Sequence, residues 1–145
     1  MRRAAHTTPG IRARRLALQA LFEEEFRPGR AVDALARMAS ERGLSAEVRD
    51  HAERIVAGVE AHREELDARI ALEAPAIPVA ELGRVERAIL RSALFEGLYS
   101  AATPSGETIR DAVSLARIYA GDAARRLVNG VLGSVSRSSG RGAAR

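Results

Sequence analysis

Residues 82–100 read LGRVERAILRSALFEGLYS, and on a helix of 3.6 residues per turn their apolar side chains reach every side. Leu82, Val85, Ile89 and Ala93 share one face. Leu90, Leu94 and Leu98 lie on a second, and Ala88, Phe95 and Tyr99 on a third. A helix that is apolar all round is normally covered by neighbours on all sides. Leu82–Ser100 is therefore expected to be the hub of a helical bundle. From Ala88 to Ala102 only Arg91 and Glu96 are charged, and charges in such surroundings need partners. A pairing of Arg91 with Glu96, or with Glu86, would meet that need.

On the N-terminal side, Met1–Gly10 lacks periodicity, ends in Pro9-Gly10 and reads as a flexible basic arm over residues 1–10. Ile11–Phe26 reads as a helix with Ala17, Leu18, Leu21, Phe22 and Phe26 apolar. Arg12, Arg15, Gln19 and Glu23 form a polar stripe beside them. After the break at Arg27-Pro28-Gly29, Ala31–Arg42 is a short helix that Gly43 ends, and Ser45 is a candidate N-cap for the next. That third helix keeps its spacing to about Leu72, with a kink expected near Gly58. The proline-dense turn Glu73–Pro78 joins two halves of the fold.

On the C-terminal side, Thr103-Pro104 signals the start of a fifth helix that runs to about Tyr119. A sixth covers Ala123–Val135, where Gly130 and Gly133 point to close helix approach, and residues 137–145 read as a disordered basic tail. No strand alternation occurs. The expected fold is all-α, a bundle of about six to seven helices in two three-helix groups, with one domain over residues 11–136.

Charge is more informative by position than in total. All 23 basic residues are arginine, set against 19 acids. Met1–Arg15 carries five arginines and residues 136–145 carry three, with no acid in either segment. The remaining 15 arginines face 19 acids, a net of −4, so the two ends supply the positive excess. Basic ends on a mildly acidic body suit a polyanion partner such as nucleic acid. The plainer reading is that they aid solubility.

Catalysis has little to rest on. Cysteine is absent, which excludes a thiol nucleophile or disulfide framework and suits a cytoplasmic location. His51 and His62 are about 16 Å apart along a straight helix, too far to share a metal. No nucleophile, base and oxyanion set occurs, so neither an enzyme nor a cofactor is expected. No apolar run reaches the roughly 18 residues of a membrane span. Ala36–Ala52 has the outline of a DNA-binding helix-turn-helix. Glu47, Asp50 and Glu53 would repel phosphate from its second helix.

Three stretches together resemble the NusB family of bacterial transcription antitermination factors. Arg14–Phe22 (RRLALQALF) is similar to its opening R-x-x-A-x-Q-x-L-[YF]. Val85–Glu96 (VERAILRSALFE) is similar to its E-R-A-I-L-R-x-A-x-[YF]-E signature. Ile109–Arg117 (IRDAVSLAR) followed by Leu127–Leu132 (LVNGVL) is similar to I-N-E-A-[VI]-E-L-A-K and F-V-N-G-V-L. Order and spacing agree over about residues 11–136.

The resemblance implies a non-enzymatic helical factor. Such a factor pairs with the small-subunit ribosomal protein NusE and binds boxA-type single-stranded nascent RNA. Acting with RNA polymerase and the other Nus factors, it supports read-through and ribosomal RNA transcription. By position it assigns RNA contacts to Arg12, Arg14, Arg15 and Phe22, and to Asp122, Arg126 and Leu127. It leaves open whether the chain forms a homodimer. The sequence departs from the family pattern at Ala123-Ala124, Leu127, Arg110 and Ser114, and an aromatic missing at position 127 forgoes about 1–3 kcal/mol of base stacking. Plainer readings are that Arg14 pairs with a body carboxylate such as Glu25, and that Leu127 belongs to the core. The competing function is a helical protein-binding adaptor that does not bind RNA.

Overall fold

Local capping signals place the starts of three helices, at Thr8, Ser45 and Ser105. The structure, a computed structural model, describes residues 8–27, 30–101 and 105–143, with the backbone alone for 100–101 and 139–143. Among these residues there are seven α-helices and no strand. They are α1 (Pro9–Phe26), α2 (Ala31–Arg42), α3 (Ala46–Ala61), α4 (Arg63–Glu73), α5 (Arg84–Glu96), α6 (Gly106–Ala120) and α7 (Asp122–Ala143). A 3-10 turn at Val79–Glu81 leads into α5, and a π-helical turn at Gly97–Ala101 follows it.

Several boundaries differ from the sequence reading. Pro9 and Gly10 open α1 and do not end an arm: the Thr8 hydroxyl accepts from the Ile11 amide at 3.3 Å, and proline suits the first helical position. Residues 1–7 of the expected arm lie outside the described residues, as do Pro28 and Gly29. Gly43 stops α2 in the left-handed region at φ +60°, and Ser45 caps α3 by accepting from Val48, both as expected. Ser105 caps α6, its hydroxyl accepting from Thr108 at 3.1 Å. The expected start at Thr103-Pro104 lies outside the described residues.

The expected long third helix is two helices. The break is at His62 (φ −119°, ψ 22°), and Gly58 lies within α3. Gly58 has a different purpose: a Cβ there would meet the Phe95 ring at 2.1 Å, so its bare backbone lets α5 approach. The His62 ring stacks on Tyr99 with centroids 4.0 Å apart and lies 3.3 Å from a Glu65 carboxylate oxygen.

At the C-terminus, α7 continues through Ala143, so residues 137–143 of the expected disordered tail are helical. No proline interrupts them, and the Ser134 and Ser138 hydroxyls donate to Glu73 at the end of α4, at 2.7 and 3.4 Å. Residues 144–145 lie outside the described residues. Gly130, expected at a close helix contact, faces open space, and Gly133 meets only the flexible Arg137 side chain at 3.3 Å.

Two three-helix groups form, α1–α2–α3 and α5–α6–α7, with α4 bridging to α5 and α7. The expected hub holds: α5 packs against α1, α3, α4, α6 and α7, and Ala88, Ile89, Leu90, Ala93 and Leu94 are buried. Its third face is less covered than expected, because Tyr99 reaches the surface. The hub's charges have partners, but not each other. Arg91 forms a two-point ion pair with Asp67 of α4 at 2.7 and 2.8 Å, while Glu96 turns toward α1. Residues 91 and 96 are five apart, and at about 100° per residue they leave α5 on opposite sides.

Candidate nucleic-acid interface

Helix geometry sorts the N-terminal arginines into two kinds. At about 100° per residue, Arg12, Arg15, Gln19, Phe22 and Phe26 fall within an arc of roughly 80° on α1. They make a stripe about 21 Å long. Arg12 is exposed and Arg15 half-buried, and neither has an ion-pair partner among the described residues. A guanidinium left unpaired on a solvent face keeps its whole fork for an anion. Phe22 is half-buried further along the same stripe.

Arg14 leaves α1 about 100° away from Arg15 and points inward. Its side chain is buried against three carboxylates and a hydroxyl. Nε and Nη2 grip Glu96 at 2.9 and 3.0 Å, and Nη2 also donates to Thr108 at 3.2 Å. Nη1 donates to Asp111 at 2.7 Å and to Glu107 at 3.3 Å. A guanidinium has five N–H donors, and all five are spent. The assignment of Arg14 to RNA is therefore corrected: it has no donor left for a phosphate. The plainer reading, an ion pair with a body carboxylate, was right in kind, with Glu96 and Asp111 in place of Glu25.

This cluster joins α1, α5 and α6, and His51 of α3 adds Nε2 at 3.1 Å from Glu96. Burial works against the charge on Arg14, but Glu96 and Asp111 outweigh it and raise its pKa. Burial also pushes the Glu96 carboxyl up. Hydrogen bonds with His51 and Arg14 win, and hold it below the ordinary carboxylate range. The only sequence signal for the cluster was an acid, Glu96, stranded in an apolar run.

The second predicted segment is the corner between α6 and α7. Gly121 turns the chain at φ +97°, and Asp122 opens α7, where a negative charge suits the helix dipole. Asp122 pairs with Arg125 at 2.7 Å and with Arg126, and these contacts depress its pKa. Arg126 is exposed but tied to Asp122 in this arrangement. Leu127 is half-buried, packs against the core and has no ring to stack on a base. Asp122 is an acid, and its contacts hold the two arginines at this corner.

One side-chain contact links the corner to the stripe. Gln19 Nε2 donates to the Tyr119 hydroxyl at 3.0 Å, and Arg42 Nη1 donates to Gln19 Oε1 at 2.5 Å. Arg12, Arg15 and Phe22 thus share a stripe that α6 abuts at Tyr119, three residues before Asp122. Sequence reasoning missed Arg42 and Tyr119 as neighbours of this surface, since only the tertiary contacts of α2 and α6 with α1 bring them there. No group of three or more His, Asp or Glu able to hold a metal occurs among the described residues.

The family model described as the NusB family matches residues 11–137. The chain belongs to the NusB family. It is 43% identical over 127 residues to the transcription antitermination protein NusB of Herpetosiphon aurantiacus, covering 86% of this chain and 87% of that protein. The NusB of Symbiobacterium thermophilum is 41% identical over 135 residues, covering 87% and 88%. Among solved structures, the antitermination factors NusB and NusE in complex with double-stranded RNA match with a TM-score of 0.81 at 25% identity, covering 90% of this chain and 97% of that one. T. maritima NusB matches with a TM-score of 0.81 at 26% identity, covering 90% and 92%. No described helix is long and apolar enough to cross a membrane.

Proposed function

We propose that this NusB-family chain is a cytoplasmic transcription antitermination factor that works by binding, without catalysis. With the ribosomal protein NusE it takes up boxA-type single-stranded RNA and supports read-through and ribosomal RNA transcription, alongside RNA polymerase and the other Nus factors. Arg12 and Arg15 grip phosphates, Phe22 offers a ring to a base, and Arg126 adds positive charge from the α6–α7 corner. The observation that carries this reading is the stripe itself: two arginines without ion-pair partners among the described residues followed, on the same face, by an aromatic ring. Single-stranded RNA is recognised by that combination of phosphate forks and stacking platforms. Relatives above 40% identity over most of the chain are named antitermination proteins, and one solved NusB was captured with NusE and double-stranded RNA.

The test is titration of a boxA-like RNA with and without NusE at two salt concentrations. Arg12→Glu and Arg15→Glu are expected to weaken binding and flatten its salt dependence. Negligible affinity of the unaltered chain even with NusE present overturns the proposal in favour of a protein-only adaptor.

A further inference from the structure

A groove of about 600 Å³ is formed by α1, α2, α5 and α6 and is walled by Phe22, Phe26, Met38, Arg42, Val85 and Tyr119. Its lining combines apolar and aromatic side chains with a few polar groups, Gln19, Glu23, Arg27 and Arg42, the composition of a site that receives a flat organic group. One end is fixed in place. Gln19 is held between Arg42 at 2.5 Å and the Tyr119 hydroxyl at 3.0 Å, so three side chains from three helices converge there. At the other end Phe26 meets Phe22 edge-on, with ring centroids 5.0 Å apart, and the Arg84 guanidinium lies 4.7 Å over the Phe26 ring.

The charge around the groove favours a polyanion. Glu23, its one acid, is spent on Arg37, with both carboxylate oxygens 2.7 Å from Nη2. Arg27 has no ion-pair partner among the described residues, and Arg42 gives Gln19 one donor and keeps the rest. Arg15 stands one turn before Gln19 on the same face, so the groove continues the arginine stripe of α1. Phe26 and Tyr119, 56% and 41% exposed, present ring surface that no described residue covers fully.

The geometry points to this groove as the place where an unstacked RNA base is received. Tyr119 and the Phe22–Phe26 pair supply ring surface, and Gln19 and Arg42 face the base edge. The inference rests on the RNA-binding reading above and adds to it: Tyr119 takes the stacking part that Leu127 cannot play, and Arg42 helps set which base is accepted. A Gln amide and an Arg fork offer both donors and an acceptor to the polar edge of a base.

The experiment uses the full chain with NusE and a boxA-like RNA carrying 2-aminopurine at one position at a time, since its fluorescence is quenched on stacking. Quenching is expected at one or two adjacent positions. Tyr119→Ala should abolish it and weaken binding about five- to hundred-fold, the usual range for losing one stacked base. Tyr119→Phe, which keeps the ring and loses the bond to Gln19, should retain the quenching. Circular dichroism of each variant separates a lost site from a lost fold. RNA that binds with no quenched position, or with quenching untouched by Tyr119→Ala in a folded variant, overturns the groove and leaves the RNA-binding reading standing. An unaltered chain that binds no RNA overturns both.

Discussion

Arg14 and Glu96, 82 positions apart, form a two-point ion pair at 2.9 and 3.0 Å that fastens the first helix to the central one. Asp111 and Glu107 extend the same guanidinium to α6. The residue nearest the middle of the basic N-terminal cluster is thus an internal rivet, and its neighbours two positions before and one after it face solvent. Removing one partner of a buried pair leaves an uncompensated charge, which costs more than the pair itself contributes. The cluster also sets where α6, and with it Tyr119, lies against the stripe on α1.

Arg14→Ala is therefore expected to lose about 3–5 kcal/mol of stability. Arg12→Ala, at an exposed position without a partner, should stay within about 0.5 kcal/mol of the unaltered chain. Urea titration of the two variants side by side checks the contrast. Equal, small losses would remove Arg14 from the interior.

Acid should weaken the fold through the same cluster. The folded-state pKa of Glu96 is depressed, so its contribution is present above the unfolded value of about 4.3 and is lost as pH falls through the folded value. Glu73 acts in the same direction: burial raises its carboxyl, but Ser134 and Arg69 hold it down. The urea midpoint should fall from about pH 5 downward. Glu96→Gln, though less stable at neutral pH, should show a shallower fall over that range. A midpoint equally steep in both would separate Glu96 from the acid response.

Gly58→Ala is expected to destabilise, since the new methyl would stand 2.1 Å from the Phe95 ring in a packed core. Overpacking of this kind costs about 1–3 kcal/mol. Adding Phe95→Leu should recover part of the loss, and a double-mutant cycle measures the coupling. Additive effects would mean that the two sites do not touch.

Gly130→Ala should do the reverse. The position is helical, exposed and open, so alanine is expected to add about 0.4–1 kcal/mol by restricting the unfolded chain. Thermal melting gives the sign directly, and a clear loss of stability would place a neighbour against Gly130.

Much of the fold was legible in the sequence because it rests on local signals. Gly43 and Ser45 announced a stop and a cap, and the all-round apolarity of Leu82–Ser100 announced the hub. The failures occurred where tertiary contacts decide. Gly58 looked like a kink and proved to be a seat for Phe95, while His62, with no strong breaker at its position, carries the break. Part of the candidate surface was legible: helical spacing put Arg12, Arg15 and Gln19 in one polar stripe, whereas Phe22 read as apolar by spacing and joined them only through the family resemblance. Arg14 was misassigned because a run of arginines reads as one patch until the 100° step between neighbours is applied. Arg42 and Tyr119 were invisible, being brought to Gln19 only by the packing of α2 and α6.

The central claim is that solvent-facing arginines on α1 bind RNA. Its most direct test is the affinity of a boxA-like single-stranded RNA, with NusE present, across a salt series. The double variant Arg12→Glu/Arg15→Glu is predicted to fold normally, bind at least about ten-fold more weakly and show a salt slope smaller by about 1.4, roughly 0.7 for each phosphate of a single strand no longer neutralised. A folded double variant with unchanged affinity and slope would contradict the account.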